Sequence, residues 1–355
     1  MKLRSVLSEA WRNLATGTTR ATQFAIATAA IALIGTGADL TAVQGIITSV
    51  DSYIEQGGSI QYLVAEDGVD SSNCEALTTY DNVSASGALR NAEELVLDTL
   101  PGTTYEAYEV TEGFGDLLGI KSKERGVWIS QSLADALGVA VSSSLQSQGR
   151  SLDVAGIFTY PNDGRDSRLE HAILVPVPSQ GSSFNECWMA AWPQAESADS
   201  QLRSALKMVN AESTEVAISQ LNRSLSTTLD GSTLYLHRAT RWMPLFAIFA
   251  GTVLGLIWAR ARKLEYAAAL HAGQTRAALV STAILECLIW STLGASLATV
   301  VALGLAIGLN PMPEVWMLSL ALPSPIAAIA GSLLGALIGA SSMREKYLFR
   351  YFKER

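Results

Sequence analysis

Four long stretches of the chain are almost free of charge, and each is long enough to cross a membrane as a helix. A bilayer core of about 30 Å takes about 20 apolar residues in helical form. In this chain of 355 residues the stretches run over 21–50, 242–259, 277–309 and 315–342. The segment between the first two has the composition of a soluble protein. We therefore expect an α-helical membrane protein with four transmembrane helices and one soluble domain, 51–241, inserted between helices 1 and 2.

The charges of the chain predict its orientation. Lysine and arginine gather in three segments that adjoin the apolar stretches, at 1–20, 260–276 and 343–355; together these hold 13 basic residues and four acidic ones. Residues 51–241 hold 12 basic and 26 acidic residues. Because basic residues accumulate on the cytoplasmic side of spans, we expect both termini in the cytoplasm and 51–241 outside the plasma membrane. Flanking of spans explains the basic clusters better than nucleic-acid binding, so no nucleic-acid partner is expected.

The first 20 residues have the pattern of an amphipathic helix. Their apolar side chains recur at helical spacing and leave a basic polar face, which suits a cytoplasmic helix lying on membrane lipids: Leu3, Val6, Leu7, Ala10, Trp11 and Leu14. The alternative is a signal peptide cleaved near Gly37–Ala38. Because the apolar run continues past Asp39 to Val50, a retained span is favoured.

The domain at 51–241 is expected to be α+β. Strands are predicted at 60–66, 126–130, 151–158 and 171–177, and helices at Ser86–Leu100, Gln131–Leu137 and over most of Ala198–Thr228. The polar segment 160–171 is interpreted as a solvated loop between two strands. The alternative is a ligand loop with a carboxylate site at Asp163, Asp166 and Glu170. A tight turn is predicted at 310–314, between the third and fourth spans.

The three cysteines do not indicate a structural metal site, because the sequence has no CxxC or Cys/His cluster. No metal is therefore expected. Cys74 and Cys187 both fall in the domain predicted to lie outside, where disulfides form. We predict a disulfide between them, with two unpaired thiols as the alternative. Cys287 falls in a span and is interpreted as a packing residue. The sequence lacks a nucleophile-elbow context for a serine, so no catalytic residue is expected.

Two acidic residues lie within the apolar stretches, where charge is costly and often functional. Asp39 is placed near the outer interface, with contact to a transported substrate as the less favoured role. Glu286 is expected to pair with an arginine such as Arg20 or Arg260. Small residues in the spans permit close helix packing, within the chain by preference and at a dimer face as the alternative: Gly251, Gly255, Gly331 and Gly335.

The sequence after the second span carries a family resemblance. It reads RARKLEYAAALHAGQTRAALVSTAILECLIWSTLGA over 260–295, with basic residues, a glutamate, a glycine and a second glutamate that leads into a helix. Together with the layout of one span, a large outside domain and three closely spaced spans, it resembles the permease subunits of MacB/FtsX-type (type VII) ABC transporters. VTEGFGDLLGI, RGVWISQSLADALGV and SLDVAGIF are similar to the outside domain of this family, and SEAWRNLATGTTRA to its entry helix. The chain departs from the family in having Gln-Thr after Gly273 and fewer basic residues there.

The resemblance implies a permease that couples ATP hydrolysis by a separate cytoplasmic ATPase to movement of the outside domain, for export or mechanotransmission. It also implies a second permease chain, identical or related. The segment 260–276 would contact the ATPase through a set of coupling residues: Arg262, Lys263, Glu265, Leu270, Gly273 and Arg276. The sequence contains no G-x-x-x-x-G-K-[ST] loop, so this chain is expected to be no enzyme and to bind no cofactor, with ATP and Mg on the partner.

Two alternatives to a transporter stay open at this point. One is an FtsX-like regulator of a cell-wall hydrolase, which would move no cargo. The other is a membrane-anchored sensor or binding protein. Substrates implied by the family include peptides, antibiotics, lipids, lipoproteins and haem, and the sequence does not choose among them.

Overall fold

The computed structural model describes residues 3–99, 101–120, 124–179, 182–194, 197–207, 215–309 and 314–344. Residues 310–313 of the turn predicted at 310–314, and residues 345–355 of the basic tail, lie outside these ranges. The described part of the chain forms two compact units. We call Met1–Ile47 together with Ser232–Arg355 the helical unit, and Thr48–Gly231 the sheet unit.

Within the described ranges, four helices are long and apolar enough to cross a membrane: Ala21–Glu55, Gly231–Ala261, Arg276–Gly308 and Trp316–Ser341. They coincide with the four apolar stretches of the sequence. The helices are α1 Leu3–Ala15, α2 Ala21–Glu55, α3 Ser71–Glu75, α4 Phe114–Leu117, α5 Gln131–Leu137, α6 Ala198–Arg203, α7 Gly231–His237, α8 Met243–Ala261, α9 Lys263–His271, α10 Arg276–Leu309, α11 Glu314–Ala321 and α12 Pro323–Ser341. The predicted fourth span is two helices, because Pro323 and Pro325 are accommodated best in the first turn of a new helix.

Helices α8 and α12 pack against each other through glycine. A Cβ atom added to Gly251 would lie 2.6 Å from the carbonyl oxygen of Ala328, and one added to Gly255 would overlap that of Ser332. Gly331 and Gly335 of α12 approach the backbone of α8 in the same way. Glycine therefore lets the two backbones touch, and the preference for packing within the chain is confirmed for these four positions.

A leucine at Gly255 is expected to force α8 away from α12, because its side chain has no room beside the α12 backbone. Overpacking of this kind costs about 1–3 kcal/mol, and more where the obstacle is backbone. The matched control is Gly304→Leu in α10, where an added Cβ has no neighbour within 4 Å. The midpoint of thermal unfolding of the detergent-purified protein should fall for Gly255→Leu alone. An equal fall in both variants would contradict the packing argument.

The sheet unit contains a nine-stranded sheet among its described residues. The strands are β1 Ile60–Asp70, β2 Val83–Asn91, β3 Leu95–Val96, β4 Thr104–Tyr105, β5 Ala107–Val110, β6 Val127–Ser130, β7 Ser144–Ser147, β8 Arg150–Phe158, β9 Ile173–Pro176, β10 Ser183–Ala191 and β11 Ala217–Gln220. The sheet has the order β11-β1-β10-β2-β5-β9-β6-β8-β7, and β3 pairs with β4 separately. The pairs β5–β9 and β6–β8 are parallel. The remaining pairs in the sheet are antiparallel.

The sheet is buried on both faces near its centre. Tyr62 of β1 packs with Trp188 on one face, and its neighbour Leu63 packs on the other face, as the two-residue period of a strand requires. That second face carries the disulfide between Cys74 and Cys187, whose 113-residue separation links α3 to β10. The predicted disulfide is therefore present.

The sequence predicted most of the sheet unit, but two of its helices are wrong. Strands β1, β6, β8 and β9 and helix α5 lie where alternation and capping indicate, and Ser130 accepts the N–H of Leu133 as the cap of α5. Ser86–Leu100 is not a helix, because its first half is strand β2. Since β2 is buried on both faces, it lacks the polar alternation that marks a strand. Of the helix predicted over Ala198–Thr228, only α6 is helical among the described residues.

The polar segment 160–171 is more ordered than the solvated loop that we predicted. Asp163 forms a salt bridge with Arg165, whose side chain is only 9% exposed. The Arg165 guanidinium holds the pKa of Asp163 below its usual value, so the pair is ionised at neutral pH. A carboxylate oxygen of Asp166 lies 3.4 Å from Nε of Arg168. With these carboxylates already paired to arginines, the alternative of a carboxylate site for a ligand loses two of its three residues.

Candidate functional site

The segment between α8 and α10 is a short helix with defined ends. Helix α8 ends just before Arg262, whose backbone N–H donates to the carbonyl oxygens of Ala259 and Arg260. Helix α9 starts at the next residue, Lys263. Gly273 follows α9 with φ +91°, a conformation that glycine adopts without strain and that ends many helices. The sequence therefore encodes a compact element, and not an extended loop, at the position of the predicted coupling segment.

Arg262 and Glu286 form a buried ion pair at the start of this element. Glu286 of α10 is fully buried, and one of its carboxylate oxygens accepts a hydrogen bond from Nη1 of Arg262. Its other oxygen accepts a hydrogen bond of 2.7 Å from Nδ2 of Asn13 in α1. The carboxylate thus joins three parts of the chain: α1, the α8–α9 junction and α10. A buried charge is tolerated when it is paired and hydrogen-bonded in this way.

Aromatic rings and a second carboxylate surround the Arg262 guanidinium. Its carbon lies 5.5 Å from the ring centroid of Trp258 and 5.0 Å from that of Tyr266. Its Nε donates to Glu265 over 2.7 Å. Burial raises the pKa of Tyr266, so the phenol remains neutral. Stacking and a fork of donors suit arginine and not lysine, so the site specifies this residue type.

A cavity of about 360 Å³ opens beside the ion pair. Its walls come from α1, α9 and α10 and from the turn between the last two. Gln274 in that turn donates to Glu9 of α1 over 3.4 Å. The lining combines apolar surface with polar side chains, which include Glu9, Asn13, Glu265, Thr282 and Glu286. Water in such a cavity would lower the cost of keeping Glu286 charged.

The predicted coupling residues divide into buried and exposed groups. Arg262 is buried, and Leu270 and Lys263 are partly buried. Glu265, Gly273 and Arg276 are exposed. The exposed group is available to a partner, whereas Arg262 faces inward and acts on the protein itself.

The second acid of the long apolar helices, Asp39 in α2, is also paired with an arginine. Nε of Arg238 donates to Asp39 over 2.8 Å and Nη2 over 3.2 Å, and the Thr240 hydroxyl donates to the same carboxylate over 2.6 Å. Arg238 precedes α8, as Arg262 follows it. Each end of α8 is therefore held by an arginine–carboxylate pair, to α2 at one end and to α10 at the other.

The sequence predicted that Glu286 pairs with an arginine, which is confirmed, but it named the wrong arginines. Glu286 pairs with Arg262, and not with Arg20 or Arg260, which are both exposed. The reason is the helix break: Arg262 is the first residue beyond α8, so its side chain turns inward. Asn13 was missed, although it stands three residues after Ala10 on the stripe of α1 that packs inward.

Comparisons with known proteins were made for the whole chain. No family model matches the sequence, and no curated protein matches it. Among solved structures it is similar to the periplasmic region of MacB from Actinobacillus actinomycetemcomitans, with 14% identity, a TM-score of 0.34 and coverage of 46% of this chain and 89% of that chain.

Two further solved structures are similar. One is the extracellular domain of the noncanonic ABC-type transporter YknZ from Gram-positive bacteria, with 13% identity, a TM-score of 0.32 and coverage of 46% of this chain and 100% of that chain. The other is a domain described as a permease protein from Porphyromonas gingivalis, with 15% identity, a TM-score of 0.32 and coverage of 51% and 98%. The three names agree with the resemblance that the sequence predicted.

Proposed function

We propose that this chain is the non-catalytic membrane subunit of an ABC transporter of the MacB/FtsX type. A separate cytoplasmic ATPase, carrying ATP and Mg, binds the exposed face of α9. Movement of α9 is passed to the membrane helices and displaces the sheet unit, which lies outside the plasma membrane while both termini lie in the cytoplasm. A second permease chain completes the complex. The outcome is export of a substrate or mechanotransmission across the membrane.

The attachment of α9 is the observation that carries this proposal. A connecting turn needs no buried charge, yet here Arg262 and Glu286 are both removed from solvent at the base of the helix. Removing two charges from water is costly, and in some proteins such pairs fix one arrangement of the neighbouring elements. The α9 helix is thereby fixed to α1 and α10 while Glu265 and Arg276 stay exposed. A rigid base with an exposed face suits an element that receives force from a partner.

The alternatives differ in what the movement does. An FtsX-like regulator would use the same α9 attachment, so it is distinguished only by its partner outside the membrane. A membrane-anchored sensor or binding protein leaves the buried pair beneath α9 without a role.

Co-purification tests the proposal. Glu265 and Gly273 are poor probes of docking, because Glu265 binds Arg262 and Gly273 has a positive φ that other residues resist. Ala268→Arg and Arg276→Glu change exposed positions on the same segment. The matched control is Glu112→Lys, an exposed charge change in the sheet unit. Each tagged protein is extracted in mild detergent, and the bound ATPase is identified by its Walker motif and its ATP hydrolysis.

We expect the wild type and Glu112→Lys to retain an ATPase, and Ala268→Arg in α9 and Arg276→Glu at the start of α10 to lose it. Reversal of charge or added bulk at a docking face removes complementarity without disturbing the buried pair. Absence of any ATPase from the wild type, under several gentle extractions, would overturn the proposal. An ATPase that all three variants retain equally would show that docking takes place elsewhere.

A further inference from the structure

Two connections join the sheet of the sheet unit to the rest of the chain, and they are tied together. The incoming connection follows the end of α2 at Glu55, and the outgoing one follows β11 at Leu221. Asn222 is fully buried, and its side-chain nitrogen donates to the carbonyl oxygen of Gln56 over 2.9 Å. The Tyr53 hydroxyl donates to the carbonyl oxygen of Ser226 over 3.0 Å. The incoming and outgoing connections are therefore hydrogen-bonded to each other where the chain enters and leaves the sheet, a place that we call the crossing.

A third segment reaches the same crossing from strands farther along the sheet. Residues 160–170, which we call the strap, connect β8 to β9, and both strands lie beyond β5 in the strand order. The backbone N–H of Asp166 donates to the carbonyl oxygen of Leu221 over 3.0 Å. The side-chain nitrogen of Asn222 also donates to the carbonyl oxygen of Asp163 over 3.2 Å. The buried amide of Asn222 thus bonds both the incoming connection and the strap.

Arg165 of the strap binds the last residue of α2. Its Nη2 donates to the carbonyl oxygen of Glu55 over 2.9 Å. The last carbonyl groups of a helix have no partner inside the helix and carry partial negative charge, so a guanidinium there caps it favourably. The Asp163 carboxylate orients the guanidinium by accepting hydrogen bonds of 2.8 Å and 2.7 Å from it. The guanidinium carbon lies 5.3 Å from the ring centroid of Tyr160.

The end of the strap that leads into β9 is also bound to the sheet, through Arg168. Arg168 forms a two-pronged bond with Glu186 of β10, at 2.5 Å and 2.8 Å. Its guanidinium lies 5.4 Å from the ring centroids of both Tyr62 and Trp188. A bidentate arginine–carboxylate pair between aromatic rings has little freedom to rotate. The strap is therefore bound to strand β10 through Arg168 and to the end of α2 through Arg165.

We propose that the strap clamps the end of α2, from Thr48 to Glu55, to the sheet, so that this end and the whole sheet move as one body, with Arg165 and Asn222 as the positioning residues. Without the strap, the strands from β11 to β2 in the strand order would follow the end of α2, whereas the strands beyond β5 would be free to lag behind. With the strap, a displacement of the end of α2 reaches both halves of the sheet together. The mechanical use of this clamp rests on the function proposed above; the clamp itself does not.

Distance measurements between spin labels test the clamp in the full chain without any ATPase. Asp51→Cys on α2 and Ala136→Cys on α5 are exposed sites on the two sides of the strap. In the otherwise unchanged protein we expect one narrow distance distribution. Arg165→Ala should broaden it, Arg165→Lys should restore part of the narrowness, and the exposed control Arg150→Ala should leave it unchanged.

Hydrogen exchange gives a second readout that separates a clamp from a general loss of stability. In Arg165→Ala, amide protection should be lost at Gln56 and Gly57, while protection in the distant strand β6 stays at the wild-type level. A narrow distribution with unchanged protection in the double variant Arg165→Ala/Asn222→Ala would overturn the clamp. A broad distribution in the wild type would overturn it as well. Either failure leaves co-purification with an ATPase unaffected, so the two proposals are tested separately.

Discussion

Replacing Glu286 by alanine is expected to lower the free energy of unfolding by about 3–5 kcal/mol, the usual cost of removing one partner from a buried ion pair. The variant leaves the Arg262 guanidinium buried without its carboxylate and leaves the Asn13 amide without its acceptor. Thermal unfolding of the detergent-purified protein measures the loss. If α9 docks an ATPase, the same variant should keep the ATPase bound but lose the stimulation of its hydrolysis.

The controls for Glu286→Ala follow from the same geometry. Arg260→Ala removes an exposed arginine two residues before the paired one and should have little effect. Glu286→Leu combined with Arg262→Met replaces both charges by apolar groups and should recover much of the stability. That double variant should still fail to stimulate the ATPase, because its α9 is no longer fixed by charge. A loss of stability as large in Arg260→Ala as in Glu286→Ala would refute the assignment of the pair.

Removing the disulfide is expected to destabilise the sheet unit by about 4–5 kcal/mol on the chain-entropy model, because a bond that closes a long loop restricts the unfolded chain most. The loop here separates Cys74 and Cys187 by 113 residues. The test is the double variant Cys74→Ala/Cys187→Ala, compared with the wild type in limited proteolysis and thermal unfolding. Both cysteines are fully buried, so part of the loss will come from packing.

Reductant separates the bond from the packing around it. Added thiol should lower the unfolding midpoint of the wild type and of Cys287→Ala, which removes the buried free thiol of α10. It should not change the midpoint of the double variant. A wild-type midpoint that is insensitive to reductant under denaturing conditions would show that the disulfide contributes nothing measurable.

The four long apolar helices were predictable, because a helix that can cross lipid needs a length and an absence of charge that few other structures require. Strand β8 was predictable from alternation, and α5 from the serine before it and the glycine after it. Strand β2 was not, because burial on both faces removes the alternating pattern. Gly87 there packs against the backbone of Phe114, a contact that no local pattern indicates.

The candidate site was predictable in place but not in detail. The sequence located the segment 260–276 and identified Asp39 and Glu286 as costly acids. It did not choose among the arginines, because that choice depends on the residue at which α8 ends. The partner of Asp39 lies 199 residues away along the chain, so only the fold brings Arg238 to it.

The pairing of β1 with β11 gives the sheet unit the form of a detachable cassette. The first strand of the sheet in the sequence, β1, and the last, β11, are hydrogen-bonded neighbours, with Gln61 opposite Gln220. Both ends of the cassette therefore meet at one edge, as in domains that tolerate insertion into a foreign loop. A gene for such a protein can exchange the sheet unit for another domain with adjacent ends and leave the sequence of the flanking helices unchanged.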